Sequence, residues 1–189
     1  VLLERIRAEK EQLIKSGKIK RDKHESVIFR RDNSYYERVD GIERCIDDEI
    51  PFEIPDSWEW VRLGNIGEWG SGATPSRTKS EYYNGTIPWL KTGDLNDGYI
   101  TYIPETITNL ALTETSVRLN PIGSVLIAMY GATIGKLGIL QIPATTNQAC
   151  CACVPFIGVY NKFLFYFLMS QKTAFIKLGE GGAQPNISK

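Results

Sequence analysis

The sequence predicts a mixed α/β domain of the α+β class: a twisted, mainly antiparallel sheet with a few helices packed on it, and a separate N-terminal helix. Three features predict it. From Trp58 onward, short apolar runs are interrupted by Gly, Pro, Asn and Asp about every ten residues, the texture of strands and turns. Near the start, Leu3, Ile6, Lys10 and Leu13 recur in steps of three and four, which is helical spacing. From Asn161 the stretch "NKFLFYFLMSQKTAFIKLGEGG" resumes that spacing before a run of glycines.

The totals fit such a domain. At 189 residues the chain is long enough for one domain with an appended element. A composition of 42% hydrophobic and 23% charged residues is that of an ordinary globular protein. The longest apolar run, "KFLFYFLMS", is too short to cross a bilayer, and no basic-plus-apolar signal segment opens the chain, so a cytoplasmic location is the expectation. Net charge is zero, which by itself argues against a protein that coats nucleic acid. Its distribution is uneven. Residues 1–40 carry 11 basic and 8 acidic side chains, residues 41–60 carry 1 and 7, and residues 61–189 carry 10 and 7. The large C-terminal part is therefore mildly basic.

In chain order, residues 1–20 read as a helix, supported by the i,i+4 pairs Arg5–Glu9 and Glu11–Lys15 and stopped at Gly17. This stripe either lies on its own domain or is the end of a longer coiled coil. Residues 21–53 read as a connector with a short hairpin around "DNSYY". Asp47, Asp48 and Glu49 read as a solvated turn before Pro51. In residues 54–189 the predicted strands are "EWVRLGNIGEW", "TIPWLK", "YITYIPETI", "SVLIAMYG", "GKLGILQI" and "ACCACVPF", with a helical turn in "NLALTETSV". The last helix is expected to bury Phe163, Phe167, Leu168, Phe175 and Ile176 and to end at Gly179.

Several chemistries fail on spacing. "AMYGATIGKLG" looks like a phosphate-binding loop, but Gly131 and Gly135 enclose three residues where that loop needs four, and Leu137 stands where its Mg²⁺-holding hydroxyl belongs. The simpler reading is two strands joined by a tight turn whose glycines take angles that a Cβ forbids. Cys151 and Cys153 share one face of a strand and Cys150 the other, a poor tetrahedral set that Cys45 would have to complete from far away. Buried thiols in a reducing cytosol are the expectation, with no metal site. The one histidine, His24, has no nucleophile to serve. No Asp-x-Lys or Glu-x-Lys tripeptide of metal-assisted nucleases occurs. Asn120-Pro121 is followed by Ile122-Gly123, where an amino-methyltransferase would carry a second proline and an aromatic. By elimination the sequence reads as that of a reader or a scaffold, with no catalytic set in view.

Five blocks in order then become recognisable: "IPDSWEWVRLGNIGEWGSGATPSR", "YYNGTIPWLKTGDLNDGYI", "LNPIGSVLIAMYGATIGKLGIL", "TTNQACCACVPF" and "GGAQPNISK". Over residues 54–189 the chain resembles the target recognition domain of type I restriction-modification specificity subunits, and residues 1–20 resemble the end of the helix that separates the two recognition domains of such a subunit. The resemblance implies a sequence-specific DNA-recognition module, one half and the second of its subunit, without a catalytic centre. It implies duplex DNA, the modification (methyltransferase) and restriction subunits, and a second recognition domain or second copy as partners. S-adenosylmethionine, ATP and Mg²⁺ would belong to the partner subunits. A protein-interaction scaffold without DNA contact and, on the glycine loop alone, a nucleotide-hydrolysing enzyme are the competing classes.

Reading DNA needs phosphate contacts for position and base-edge contacts for sequence. For phosphates the candidates are Ser71, Thr74, Ser76, Arg77 and Lys79 in "GSGATPSRTKS", with Lys91, Thr92 and Lys136. For bases they are side chains that can pair a donor with an acceptor or form a fork: Arg77, Asn147, Gln148 and Gln184.

Overall fold

The computed structural model describes residues 2–22 and 24–179. The described residues divide into two compact units, one within residues 2–67 together with 156–158, the other residues 68–155 with 159–179.

In the first unit, α1 (Leu2–Lys15) buries Ile6 and Lys10. Its end is a Schellman turn on Gly17 (φ 70°): Gly17 N–H donates to Ile14 O at 3.0 Å and Lys18 N–H to Leu13 O at 2.9 Å. The stop therefore lies where the sequence places it. The side-chain pairing differs, since Glu11 takes Arg21 at 2.7 Å. Lys10 ties the helix down through Glu25 at 2.9 Å.

The stretch read as a connector contains a three-stranded antiparallel sheet, β1 (Ser26–Arg31), β2 (Ser34–Val39) and β3 (Ile42–Cys45). Both turns are two-residue loops with both central φ values positive: Asp32 (51°) and Asn33 (65°), then Asp40 (52°) and Gly41 (81°). That is the turn whose twist suits a hairpin. The first is the hairpin expected at "DNSYY"; the Asp-Gly pair supplies a second. Cys45 is exposed on β3, unlike the buried thiol expected. On the sheet's other face Glu37 is buried and takes both Arg62 (2.7 and 2.8 Å) and Arg44 (2.6 Å). The Arg62 fork and Arg44 hold the Glu37 carboxyl at about 2 against burial, which opposes its charge. Glu49 accepts from the same two arginines, while Asp47, Asp48 and Glu49 all stay exposed, as a solvated turn has them.

The second unit is organised by two sheets. One has the order β4 (Gly67–Ser71), β11 (Cys150–Pro155), β8 (Val125–Ala128), β9 (Leu137–Leu140), β6 (Gly98–Ile100); the other has β10 (Thr145–Thr146), β5 (Tyr83–Leu90), β7 (Thr106–Ile107). The pairs β11–β8, β8–β9 and β5–β7 are antiparallel, whereas β6–β9 and β10–β5 are parallel. β8 and β9 are buried at every residue, which is why they read as unbroken apolar runs. The predicted strand at 59–69 shrinks to β4, because Leu63–Asn65 turns as a 3-10 helix. "YITYIPETI" is cut at Pro104 into β6 and β7, which serve different sheets.

α2 (Asn109–Glu114) is capped by Thr108, whose hydroxyl accepts from Ala111 N–H at 3.3 Å. The last helix is two, α3 (Asn161–Ser170) and α4 (Lys172–Gly179), broken at Gln171. α3 packs on β8 and β9 with Leu164, Phe165 and Leu168. Of the stripe expected in the core only Leu168 is buried, since Phe163 is 58% exposed and Phe167 and Ile176 sit near the surface. The α+β class is what these elements make. Among the described residues no helix is long and apolar enough to cross a membrane.

Candidate nucleic-acid interface

The loop after β4 is held along its backbone. Gly72 N–H donates to Cys150 O at 3.1 Å and Ala73 N–H to Thr146 O at 2.9 Å. Trp89 Nε1 donates to Ala73 O at 3.0 Å and the Tyr83 hydroxyl to Pro75 O at 2.5 Å. At Gly72 the chains come so close that a Cβ would collide with the carbonyl oxygens of Thr146 and Asn147. Only glycine permits that approach. Five elements therefore meet here: the 71–79 loop, β5, β10, the 147–148 turn and the start of β11.

On this base Arg77 lies over the rings of Tyr83 (4.4 Å) and Trp89 (5.0 Å) and pairs with Glu105 at 2.5 Å. Lys91 reaches the same carboxylate at 2.7 Å. Two cations share one acid, leaving a net charge of +1. Burial resists ionisation of Glu105, but Arg77 and Lys91 together hold its carboxyl below the ordinary glutamate value. Stacking fixes the plane of the guanidinium and leaves part of its N–H edge to solvent, the geometry that suits a phosphate. The Thr74 hydroxyl donates to the Gln148 side-chain oxygen, and the Tyr130 hydroxyl donates to Gln148 O at 2.7 Å. Gln148 is exposed at the surface.

The structure thus joins Thr74 with Gln148, and Arg77 with Lys91. It places the other candidates less centrally. Ser71 and Ser76 are exposed, with the Ser76 hydroxyl 2.8 Å from that of Thr78. Thr92 opens the turn Thr92–Asp94, which Asp94 ties back by accepting from Lys91 N–H at 2.9 Å. Lys79 turns to the Tyr82 hydroxyl (2.9 Å) and Glu114 (3.6 Å). The Asn147 side-chain oxygen is buried without a hydrogen-bond partner and is not offered at the surface. Lys136 lies beside Asp97, whose carboxylate Lys172 takes at 2.6 Å, and it is not part of the Glu105 cluster. Gln184 lies outside the described residues.

Gly131 and Gly135 have φ of 68° and 76°, but the connection between β8 and β9 runs over residues 129–136 and holds a 3-10 turn at Gly131–Thr133, so it is longer than the tight turn expected; Gly135 N–H closes it on Ala128 O at 3.0 Å. Cys150, Cys151 and Cys153 are buried, and burial pushes the Cys153 thiol up to about 12 and Cys150 further, so neither is a thiolate at neutral pH. Among the described residues no group of three or more His, Cys, Asp or Glu is placed to hold a metal ion.

Sequence reasoning missed Glu105, Tyr83, Trp89 and Tyr130. The one available signal for Glu105 was its isolation, as the sole acid between Asp97 and Glu114 in a stretch with cations on either side.

Residues 55–189 match the family model described as the type I restriction modification DNA specificity domain. The chain is 35% identical over 135 residues to the type I restriction enzyme MjaIX specificity subunit of Methanocaldococcus jannaschii, covering 69% of this chain and 31% of that protein. It is 30% identical over 135 residues to the EcoR124I/EcoR124II specificity subunit of Escherichia coli, covering 68% and 33%. The chain spans about a third of the length of these curated relatives. The crystal structure of the HsdS subunit from Thermoanaerobacter tengcongensis superposes with a TM-score of 0.57 at 20% identity, covering 72% of this chain and 33% of that one. A chain from a study of complex assembly and conformational transition of the type I R-M system gives 0.58 at 20% identity, covering 73% and 33%. At that identity the likeness is one of fold.

Proposed function

Because the chain belongs to the type I restriction-modification DNA specificity domain family, we propose that it reads DNA sequence and directs the methylating and restricting subunits of such a system to a bipartite site. The observation that carries this reading is the Gly72 loop, held by its backbone and presenting Arg77 stacked on Tyr83 and Trp89 beside Gln148. A rigid loop with a fixed guanidinium and an adjacent amide supplies both kinds of contact that readout needs.

In this reading residues 54–189 are the recognition domain, residues 1–20 the end of the spacer helix and residues 21–53 the connector. Arg77 and Lys91 exchange part of their hold on Glu105 for phosphate oxygens, with the hydroxyls of Ser71, Thr74, Ser76 and Thr92 close by. Lys79 and Lys136 are outlying phosphate contacts. Gln148 and Arg77 read base edges, with Gln184 in the same role, whereas Asn147, its side-chain oxygen buried, shapes the turn beside them. The module does no chemistry and binds no cofactor; S-adenosylmethionine, ATP and Mg²⁺ serve the partner subunits. Its protein partners are the modification and restriction subunits and a second recognition domain or second copy paired through the N-terminal helix. The exposed ridge of α3, with Phe163 and Tyr166, suits the modification subunit. The complex works in the cytoplasm.

The test is duplex binding by fluorescence anisotropy with the methylating partner present. Affinity should fall steeply as salt rises, and Arg77→Ala with Lys91→Ala should weaken binding to every duplex. No preference among duplexes, or nucleotide turnover by the chain alone, would overturn the reading. Altered sequence preference at unchanged overall affinity would remove Arg77 and Lys91 from the phosphate role.

A further inference from the structure

We infer that the outward face of the β1–β3 sheet is a second phosphate-backbone contact for duplex DNA, an inference that rests on the DNA-reading function proposed above. The strand register puts Phe29 opposite Tyr36, Val27 opposite Arg38, and Arg31 opposite Ser34, and continues Arg38 to Glu43. Side chains alternate across a strand, so Phe29, Arg31, Tyr36, Arg38 and Glu43 share one face while Tyr35, Glu37 and Arg44 share the other.

On that outward face the Phe29 and Tyr36 rings stack at 5.9 Å with planes 20° apart. Arg31 lies 4.2 Å over Tyr36, and Arg38 lies 5.2 Å over Phe29. Their side chains are 49% and 52% exposed. Each spends one nitrogen on Glu43, at 3.0 and 3.3 Å, and Arg31 also hydrogen-bonds the Tyr36 hydroxyl, which leaves the outer donors of the two forks for another acceptor. An arginine held by stacking has lost its rotamer freedom before it binds, so a phosphate pays little further ordering cost.

The sign of the surface follows from where the acids go. Residues 37–49 are rich in carboxylates, yet Glu37 is buried on the opposite face with Arg62 and Arg44, Glu49 takes the same two arginines, Asp47 accepts from Tyr35 N–H at 2.6 Å, and Asp40, in the β2–β3 turn, meets His24 at 2.6 Å. Against two guanidinium groups the outward face retains Glu43 alone, a net +1. A regularly spaced polyanion matches two forks set side by side across a strand pair.

The experiment measures duplex affinity against salt for the full chain with its methylating partner. Three variants are compared with the wild type: Arg31→Ala/Arg38→Ala, Arg31→Lys/Arg38→Lys, and Arg77→Ala/Lys91→Ala, each checked for native circular dichroism. Removing both guanidinium groups should weaken binding about tenfold for every sequence and reduce the slope of log K against log salt by about two units, near 0.9 per phosphate lost. The lysine pair should keep most of the slope while losing affinity, because the fork and the stacking go but the charge stays. Unchanged affinity and slope in both pairs, with binding still lost in Arg77→Ala/Lys91→Ala, overturns this inference and leaves the proposed function standing. Loss of the methylating partner at unchanged duplex affinity also overturns it, because the face would then serve a protein. No duplex binding by the wild type overturns both.

Discussion

Glu105→Gln separates two roles that the Glu105 cluster could have. The carboxylate holds Arg77 at 2.5 Å and Lys91 at 2.7 Å, with side chains 24%, 55% and 45% exposed. Ion pairs this open to water are worth about 0.2–1 kcal/mol each. Two of them set the expected loss of stability at about 1 kcal/mol, or a fall in Tm of about 2–4 °C for a chain of this size. The electrostatic effect runs the other way. Glutamine keeps the shape and an acceptor oxygen but removes the charge, so the cluster passes from +1 to +2 and no carboxylate competes with phosphate. Affinity for any duplex should rise several-fold, and the salt dependence should steepen by about one unit. Anisotropy titrations from low to moderate salt, alongside a thermal melt, read both numbers. Weaker binding with a shallower slope would refute the competition argument, because it would mean that the charge on Glu105 is needed to hold the cations where phosphate meets them.

Two further outcomes follow from the packing. Gly72→Ala removes no polar group, but its methyl meets the backbone oxygens of Thr146 and Asn147, which cannot swing aside. It should cost about 1–3 kcal/mol and loosen DNA binding as the loop lifts; an unchanged melting temperature would show that the loop is not held there. Glu37, at about 2 against an ordinary 4.5, contributes stability that is complete above the ordinary value and is lost as pH falls through the folded one. The difference amounts to about 3 kcal/mol, so urea midpoints should drop as pH is lowered from 5 toward 2, roughly the window between the two values. Glu37→Gln should start lower at neutral pH and flatten that dependence; an equally steep decline in the variant would place the acid sensitivity elsewhere.

Local signals carried the parts of the fold that local physics decides. Gly17 ends α1 because a left-handed residue closes a helix, and β8 and β9 were visible as apolar runs because both faces are buried. The α3 stripe shows where this stops. "KFLFYFLMS" is apolar almost all round, so periodicity cannot choose a face. The sheet chose it, taking Leu164, Phe165 and Leu168 and leaving Phe163 and Tyr166 outside. The β1–β3 sheet is half legible: the sequence points to the hairpin at Asp32-Asn33, whereas Asp40-Gly41 is obscured by the charges around it, although Asp-Gly is a strong short-range hairpin signal. Within the site, Arg77, Lys91, Thr74 and Gln148 were nominated one by one. Their grouping depends on Glu105, 28 residues beyond Arg77, and on an aromatic floor from β5, contacts between distant segments that no spacing rule reports.

Under the proposed function, the zero net charge, which by itself argues against a nucleic-acid partner, is reconciled by the same pairing. Arg77, Lys79 and Lys91 each already face a carboxylate, and so do Arg31 and Arg38. A count of charges sees these groups as cancelled. Their pairs are half-exposed, however, and each is worth about 1 kcal/mol or less, so exchanging a carboxylate for a phosphate costs little. What pairing changes is the background: cations that begin neutralised attract a random duplex weakly. Binding then gains most when several exchanges occur together, which requires the backbone to fit the loop and its stacked guanidinium. Under the proposed function the acids of such a chain belong to the recognition apparatus as much as the arginines do.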